Sequence, residues 1–161
     1  MNYPYYYIVK NKLTQPVLND IFTAIAEHRE YIEMIRDTKH EKSKKIELTL
    51  APTLKGLGFC HSVTNKQFPL FKPPSQFEVD FYHPDKKIAI EIERSNLYTK
   101  VWLALYKMLE SSLVSHGIIC VPIRRIVRNA PENSFELTAK RIRDNTENLL
   151  SHLDSLIVLG Y

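Results

Sequence analysis

The stretch that decides the fold covers residues 77–93 and reads Phe77-Glu-Val-Asp-Phe-Tyr-His-Pro-Asp-Lys-Lys-Ile-Ala-Ile-Glu-Ile-Glu93. It holds two apolar segments, at about 77–82 and 87–93, which have the length and composition of strands. The residues between them, His83-Pro-Asp-Lys86, have the chemistry of a tight turn. The stretch is therefore predicted to form a β-hairpin.

Three acidic residues lie on this predicted hairpin. Alternate side chains of a strand point to opposite faces, so Glu91 and Glu93 share one face, while Ile88, Ile90 and Ile92 share the other. Asp80 lies on the neighbouring strand, and pairing would bring it close to this acidic face. Like charges held together cost free energy, which a divalent cation such as Mg²⁺ relieves. The spacing alone also fits the alternative that these acids line a solvated sheet face.

Upstream of the hairpin the sequence predicts helices. Residues 1–12 are rich in tyrosine and fit an edge strand or an arm. Apolar residues then recur at helical spacing and predict one helix over about 16–38, with Pro16 as its first residue. The segment 46–57 fits a helix with a kink at Pro52, although its first residues also alternate as in a strand. Residues 60–75 are predicted to be a loop.

Downstream of the hairpin the pattern alternates between helix and strand. A helix is predicted over about 97–115, capped by Ser95 or Asn96, and an apolar strand over 118–123. A last helix is predicted over about 133–157. Its apolar stripe includes Phe135, Ile142, Leu149 and Leu156. Two strands joined by a crossover helix form a parallel pair, while the hairpin supplies an antiparallel pair. We therefore expect an α/β fold with a mixed central sheet flanked by helices.

The composition limits the class of protein. The chain has 161 residues, which suits a single domain over residues 1–161 with its core at about 42–123. A net charge of +4 permits binding to a polyanion without establishing it. Cys60 and Cys120 lack metal-site spacing and fit a reducing interior. No signal peptide and no long apolar run is visible, so a cytoplasmic protein without membrane contact is expected.

The acidic pattern has a counterpart in a known superfamily. Asp80, followed after ten residues by Glu91-Ile92-Glu93 in an apolar strand, resembles the PD-(D/E)XK nucleases of the restriction-endonuclease-like fold. The order of elements over 42–123 matches that core, which is about half of the chain. The resemblance implies a Mg²⁺-dependent endodeoxyribonuclease, with Mn²⁺ as a substitute, that hydrolyses phosphodiester bonds of DNA. A type II restriction-like activity is one form of this function.

The resemblance also implies roles for single residues. Asp80 and Glu91 would be metal ligands, and Glu47 on the first core helix would be an assisting acid. Glu93 stands where most members have a catalytic lysine, although a subset of type II restriction enzymes carries Glu-X-Glu there. Glu93 would then orient the attacking water or bind a second ion. Glu78 is expected to be a neighbour of the site rather than a ligand.

The remaining expectations concern contacts to nucleic acid and the oligomeric state. Arg124, Arg125, Arg128 and Lys107 are predicted to contact nucleic acid. In some relatives the basic residue of the site is displaced onto the helix that carries Lys107, which leaves a second role for this residue open. Many relatives act as homodimers, and the apolar stripe of the last helix fits a dimer surface or the core equally well. The alternative function is a module that binds nucleic acid without cutting it.

Overall fold

The computed structural model describes residues 2–161. Along the chain the elements are β1 (Tyr5–Lys10), α1 (Gln15–Ala26), α2 (Arg29–Asp37), α3 (Ser43–Gly56), β2 (Cys60–Val63), β3 (Val79–His83), β4 (Ile88–Ile92), α4 (Leu97–Glu110), β5 (His116–Val121), β6 (Arg125–Val127), β7 (Ala130–Glu132), α5 (Ser134–Asn145), a 3₁₀ turn (Leu149–His152) and β8 (Ser155–Gly160). Within these residues no helix has both the length and the apolar character that a bilayer span requires.

A six-stranded sheet organises the molecule, in the order β1-β8-β5-β4-β3-β2. Strands β3 and β4 form the predicted antiparallel hairpin, with Phe81 opposite Ile90. Strands β4 and β5 are parallel and are joined by α4, as the crossover pattern predicted. The predicted α/β fold with a mixed sheet flanked by helices is confirmed.

The two faces of the sheet bury two apolar clusters. Ile88, Ile90 and Ile92 of β4 pack toward α1, α2 and α3. Ala89, on the opposite face, belongs to a cluster formed with α4. Glu91 has the same parity as Ala89, so the strand directs its carboxylate to the α4 side. Both faces of β4 are thus covered, and this acidic residue is held in the interior.

The predicted helix over 16–38 is two helices. Helix α1 ends at Ala26, α2 begins at Arg29, and His28 between them hydrogen-bonds with the Thr53 hydroxyl of α3. Both helices bury an apolar stripe in the same cluster. The apolar periodicity therefore continues across the turn and does not reveal the break.

The prediction of one helix over 133–157 is wrong. Helix α5 ends at Asn145, and Ser155–Gly160 form the strand β8, which lies between β1 and β5. All six residues of β8 are buried, as expected of an apolar run covered on both faces. Ile142 and Leu156, each 0% exposed, are in the core, whereas Leu149 is 57% exposed, so the predicted stripe is not one continuous face of a helix.

Besides β8, three short strands were missed by the sequence prediction, namely β2, β6 and β7, whereas β1 matches the edge-strand alternative for residues 1–12. The predicted loop over 60–75 begins with β2, which pairs with β3 at the edge of the sheet. Strands β6 and β7 form a separate small hairpin after β5. The tyrosine-rich N-terminal segment contains β1, the edge strand that pairs antiparallel with β8. The three missed strands have three or four residues, which is too short for periodicity to identify.

Candidate active site

The site lies where β4 ends and β3 begins. Asp80 is the second residue of β3, and its Oδ2 accepts a hydrogen bond of 2.7 Å from the backbone N–H of Ile92. This bond fixes one carboxylate of the predicted trio against the strand that carries the other two. In α/β sheets the carboxyl ends of parallel strands are the usual position of a ligand site.

Three carboxylates meet at this point. One oxygen each of Glu47, Glu78 and Asp80 lie within 4.8 Å of one another. Glu47 comes from α3 and is only 4% exposed, which brings the predicted helix acid into the site. Glu78 immediately precedes β3 and is part of this group, closer than its expected position as a neighbour.

Two basic side chains contact Glu47. The Lys44 ammonium donates to Glu47 Oε2 at 2.7 Å and to the Ser62 hydroxyl at 2.8 Å, and it lies 3.6 Å from Glu78 Oε1. The His61 Nε2 lies 3.2 Å from Glu47 Oε2. Lys44 therefore balances part of the negative charge of the three carboxylates. The sequence offered a signal for Lys44, one helical turn before Glu47, but none for His61.

Lys107 reaches the site from the opposite side. Its ammonium donates to Glu91 Oε2 at 2.6 Å and to the Glu78 backbone carbonyl at 2.7 Å. The residue is 8% exposed, so it is not placed as a surface contact to DNA, which was the predicted role. The geometry matches the alternative, in which the helix after β4 supplies the basic residue of the site.

Glu91 is the most buried of the acids. It is 2% exposed, and its Oε1 has no hydrogen-bond partner among residues 2–161. Burial raises the pKa of Glu91 to about 8, the negative charge of Asp80 adds to the rise, and Lys107 opposes it. An unpartnered carboxylate oxygen in the interior costs free energy, which a bound cation or a water would remove.

The other two acids of the trio also have raised pKa values. Burial and then the charge of Glu47 raise the pKa of Asp80 to about 6, against the lowering effect of the Ile92 N–H. Burial and then the charge of Asp80 raise the pKa of Glu93 to about 7, while Lys100 lowers it. Coupled carboxylates with raised pKa values are typical of functional sites.

The three predicted arginines lie outside the acidic group. Arg124 is 69% exposed, and Arg128 is exposed at the turn between β6 and β7. Arg125 is bound to Glu132 across that hairpin at 2.8 Å. All three line a cleft that also includes Arg94, the residue after Glu93.

Comparisons with known proteins were made on the whole chain. No curated protein and no solved structure matched. One family model, described as "Putative halobacteria restriction endonuclease", matches residues 3–161. Nearly the whole chain is covered, including every acidic and basic residue of the site. The chain therefore belongs to this family of restriction-endonuclease type.

Proposed function

We propose that the protein is a divalent-metal-dependent endonuclease that hydrolyses phosphodiester bonds of DNA, with Mg²⁺ as the metal and Mn²⁺ as a substitute. The observation that carries the proposal is the buried ion pair of Lys107 with Glu91, set beside three convergent carboxylates. Membership of the restriction-endonuclease family supports it. In its finer form the proposal is a type II restriction-like activity of the PD-(D/E)XK class with Glu-X-Glu.

The residues present fit a hard cation. Asp80, Glu91 and Glu47 would hold it, as the sequence predicts, and Glu78 joins them because its carboxylate lies in the same group. These are oxygen ligands, which Mg²⁺ prefers. Glu91 Oε1 accepts no hydrogen bond from residues 2–161, so it could bind the ion without losing another contact. The ion would supply positive charge for the phosphate and lower the pKa of a nearby water.

Lys107 and Glu93 would act on the reacting groups. Lys107 keeps Glu91 Oε2 in place through a bond of 2.6 Å and holds its ammonium beside the acids, the role that the resemblance implies for a basic residue displaced onto this helix. Glu93, one strand step beyond Glu91, would orient the attacking water and take up its proton. Lys44 would contact the phosphate once a cation replaces it beside Glu47 and Glu78.

The test is cleavage of supercoiled plasmid DNA by the purified protein. We expect nicked and linear products in Mg²⁺ or Mn²⁺ and none when EDTA removes the metal. Asp80→Asn keeps the shape of the side chain and its bond to Ile92 but removes the charge. We expect this variant to lose about 10²–10³-fold in rate, as removal of a preorganised electrostatic group does.

The same assay distinguishes the nuclease from the alternative function, a module that binds nucleic acid without cutting it. Binding to DNA without cleavage, in either metal and on linear, supercoiled and single-stranded forms, would contradict the nuclease and leave a nucleic-acid-binding module. Equal cleavage by wild type and Asp80→Asn would instead point to a contaminating nuclease and would also contradict the proposal.

A further inference from the structure

A cleft of about 690 Å³ opens beside the candidate active site. One wall is formed by residues 36–40, the end of α2 and the residues after it, and the other by the β6–β7 hairpin. Arg94 and Ser95 lie between the walls and directly follow Glu93. A long substrate in this cleft would therefore pass the carboxyl end of β4, where the acidic residues lie.

Arg94 joins the first wall to the active-site strand. Its guanidinium donates to the backbone carbonyls of Glu41, Thr38 and Arg36. These three bonds hold the segment 36–41 against the residue that follows Glu93. The wall is thus positioned by the same strand that carries the catalytic acids.

The charge of the cleft fits a polyanion. Its lining carries five arginines and one lysine against a single acid, Asp37. Three of the arginines are hydrogen-bonded: Arg36 to Asp37, Arg94 to backbone carbonyls and Arg125 to Glu132. Arg124 lies 3.8 Å from Asp37 in a looser ion pair. Lys39, Arg124 and Arg128 remain exposed, with Lys39 on one wall and Arg128 on the other.

The β6–β7 hairpin is short and pairs with no other strand. Its strands have three residues each and pair only with one another, a length at which an isolated hairpin is marginally stable. The two turn residues Arg128 (φ 50°) and Asn129 (φ 64°) both have left-handed backbone, which is the type I′ geometry. Ile126 is 70% exposed on its first strand. Two exposed arginines, Arg124 and Arg128, lie two residues to either side of it.

The base of the hairpin is fixed to the main sheet. The Ile123 N–H donates to the Tyr161 carbonyl at 2.7 Å, and Arg125 and Ser134 both donate to Glu132 Oε1. The tip therefore projects from a rigid support. A two-stranded ribbon of this kind has the width that the major groove of B-DNA admits.

We propose that the β6–β7 hairpin reads the DNA sequence, with Arg128 and Asn129 at its tip contacting base edges and Lys39 on the opposite wall contacting the phosphate backbone. This inference rests on the proposed function, because it takes DNA as the substrate. Arginine pairs with guanine and asparagine with adenine in the major groove. Ile126 would add an apolar contact beside them.

The test uses binding selection, so that it does not depend on cleavage. The Asp80→Asn protein is incubated with a pool of randomised duplexes in EDTA, and bound DNA is sequenced. The tip variant carries Arg128→Asn and Asn129→Gly in addition, a pair that favours the same type I′ turn and so preserves the hairpin. The control is Lys39→Ala in the Asp80→Asn protein.

We expect the Asp80→Asn protein to enrich particular sequences. The tip variant should lose about ten- to a hundred-fold of this discrimination, the value of one or two specific base contacts. Lys39→Ala should bind all sequences more weakly and enrich the same ones. Circular dichroism of each variant checks that the fold is retained, and a tip variant that fails to fold is replaced by Arg128→Lys, which keeps the charge without the planar fork.

The outcomes separate the two proposals. Enrichment of the same sequences by the tip variant would overturn the hairpin inference and leave the nuclease untouched. Enrichment that depends on the tip, in a protein that cuts no DNA, would support the hairpin and contradict the nuclease. No binding to any DNA at low salt would overturn both.

Discussion

At the scale of single residues, the position of Lys107 changes how the acidic motif is understood. Glu93 stands where the superfamily that the sequence resembles usually has a lysine, and the sequence alone left a module that binds nucleic acid without cutting it as the alternative. The structure places a lysine at the site from α4, bonded to Glu91 and 8% exposed. A basic group therefore lies beside the acidic residues, on a different element from Glu93.

Replacing Lys107 by Met tests this position. The substitution keeps much of the side-chain volume but removes the ammonium and leaves Glu91 without its partner. We expect a loss of about 10²-fold or more in cleavage rate, since a preorganised charged group at the reacting centre is removed. Plasmid cleavage measures the effect. Lys140→Met, which removes an exposed lysine of α5, is the control, and an equal loss in both variants would contradict the role of Lys107.

His116 gives a pH dependence outside the site. Burial lowers its pKa, and its Nδ1 lies 2.9 Å from the Ser155 hydroxyl. The unfolded chain then binds a proton near pH 6.5 while the folded protein does not, so stability is lost as the pH falls below about 6.5. His116→Gln keeps a polar group but cannot titrate. We expect the free energy of unfolding to fall less in this variant than in wild type between pH 7 and pH 5, as measured by urea denaturation, and equal slopes would contradict the prediction.

At the scale of elements, the sequence predicted those whose pattern is local. The β3–β4 hairpin, the helix with Pro52 and the crossover helix α4 each have a periodicity or a turn that belongs to one element. Strand β8 was missed because its apolar residues continue the spacing of α5 by coincidence. Its assignment depends on neighbours distant in sequence, which periodicity does not contain.

The residues of the candidate site also divide into those that the sequence predicted and those that depend on tertiary packing. The sequence predicted that Asp80 and Glu91 approach each other, since the hairpin pairs their strands, and the superfamily resemblance implied that Glu47 joins them. Lys44 and His61 were not predicted as part of the site, because their contacts depend on the packing of α3 against β2. The direction of the Lys107 side chain likewise depends on how α4 packs over the sheet.

The connection between α3 and β2 offers a stability prediction. Gly58 has a φ of +96°, and a Cβ there would lie 2.8 Å from His83 Nε2. Gly58→Ala is therefore expected to lower the free energy of unfolding by about 1–3 kcal/mol, through backbone strain and this contact. Gly56→Ala is the matched control, since a Cβ there meets nothing within 4 Å. Urea unfolding of both variants measures the difference, and equal stabilities would contradict it.

At the scale of the whole molecule, the net charge of +4 understates the local field. Acids are concentrated at the candidate metal site, and exposed cations lie on the walls of the adjacent cleft. A substrate with a regular array of negative charges could bind at both places. A cation held by the acids and the basic residues of the cleft walls would then contact phosphates of the same nucleic-acid strand.

This distribution predicts the salt dependence of binding. If Lys39 and Arg124 each neutralise one phosphate and so release a counterion, log K against log salt concentration should have a slope of about −2. Fluorescence anisotropy with a labelled duplex in EDTA measures the slope. Arg124→Ala should reduce its magnitude by about 1. A slope near zero would show that the cleft does not contact the phosphates.

The pairing of β1 with β8 has a consequence for how the protein forms. Tyr6 lies opposite Leu159, and the Tyr161 hydroxyl donates to the Glu93 carbonyl, so strands from both ends of the sequence complete the sheet around the acidic residues. Contacts between residues so distant in sequence form slowly, because a long loop must close first. A nascent chain that has not yet exposed residues 155–161 lacks a central strand and the support of Glu93. The support of Glu93 is therefore complete only after residues 155–161 have joined the sheet, later than the strands and helices that supply the acids.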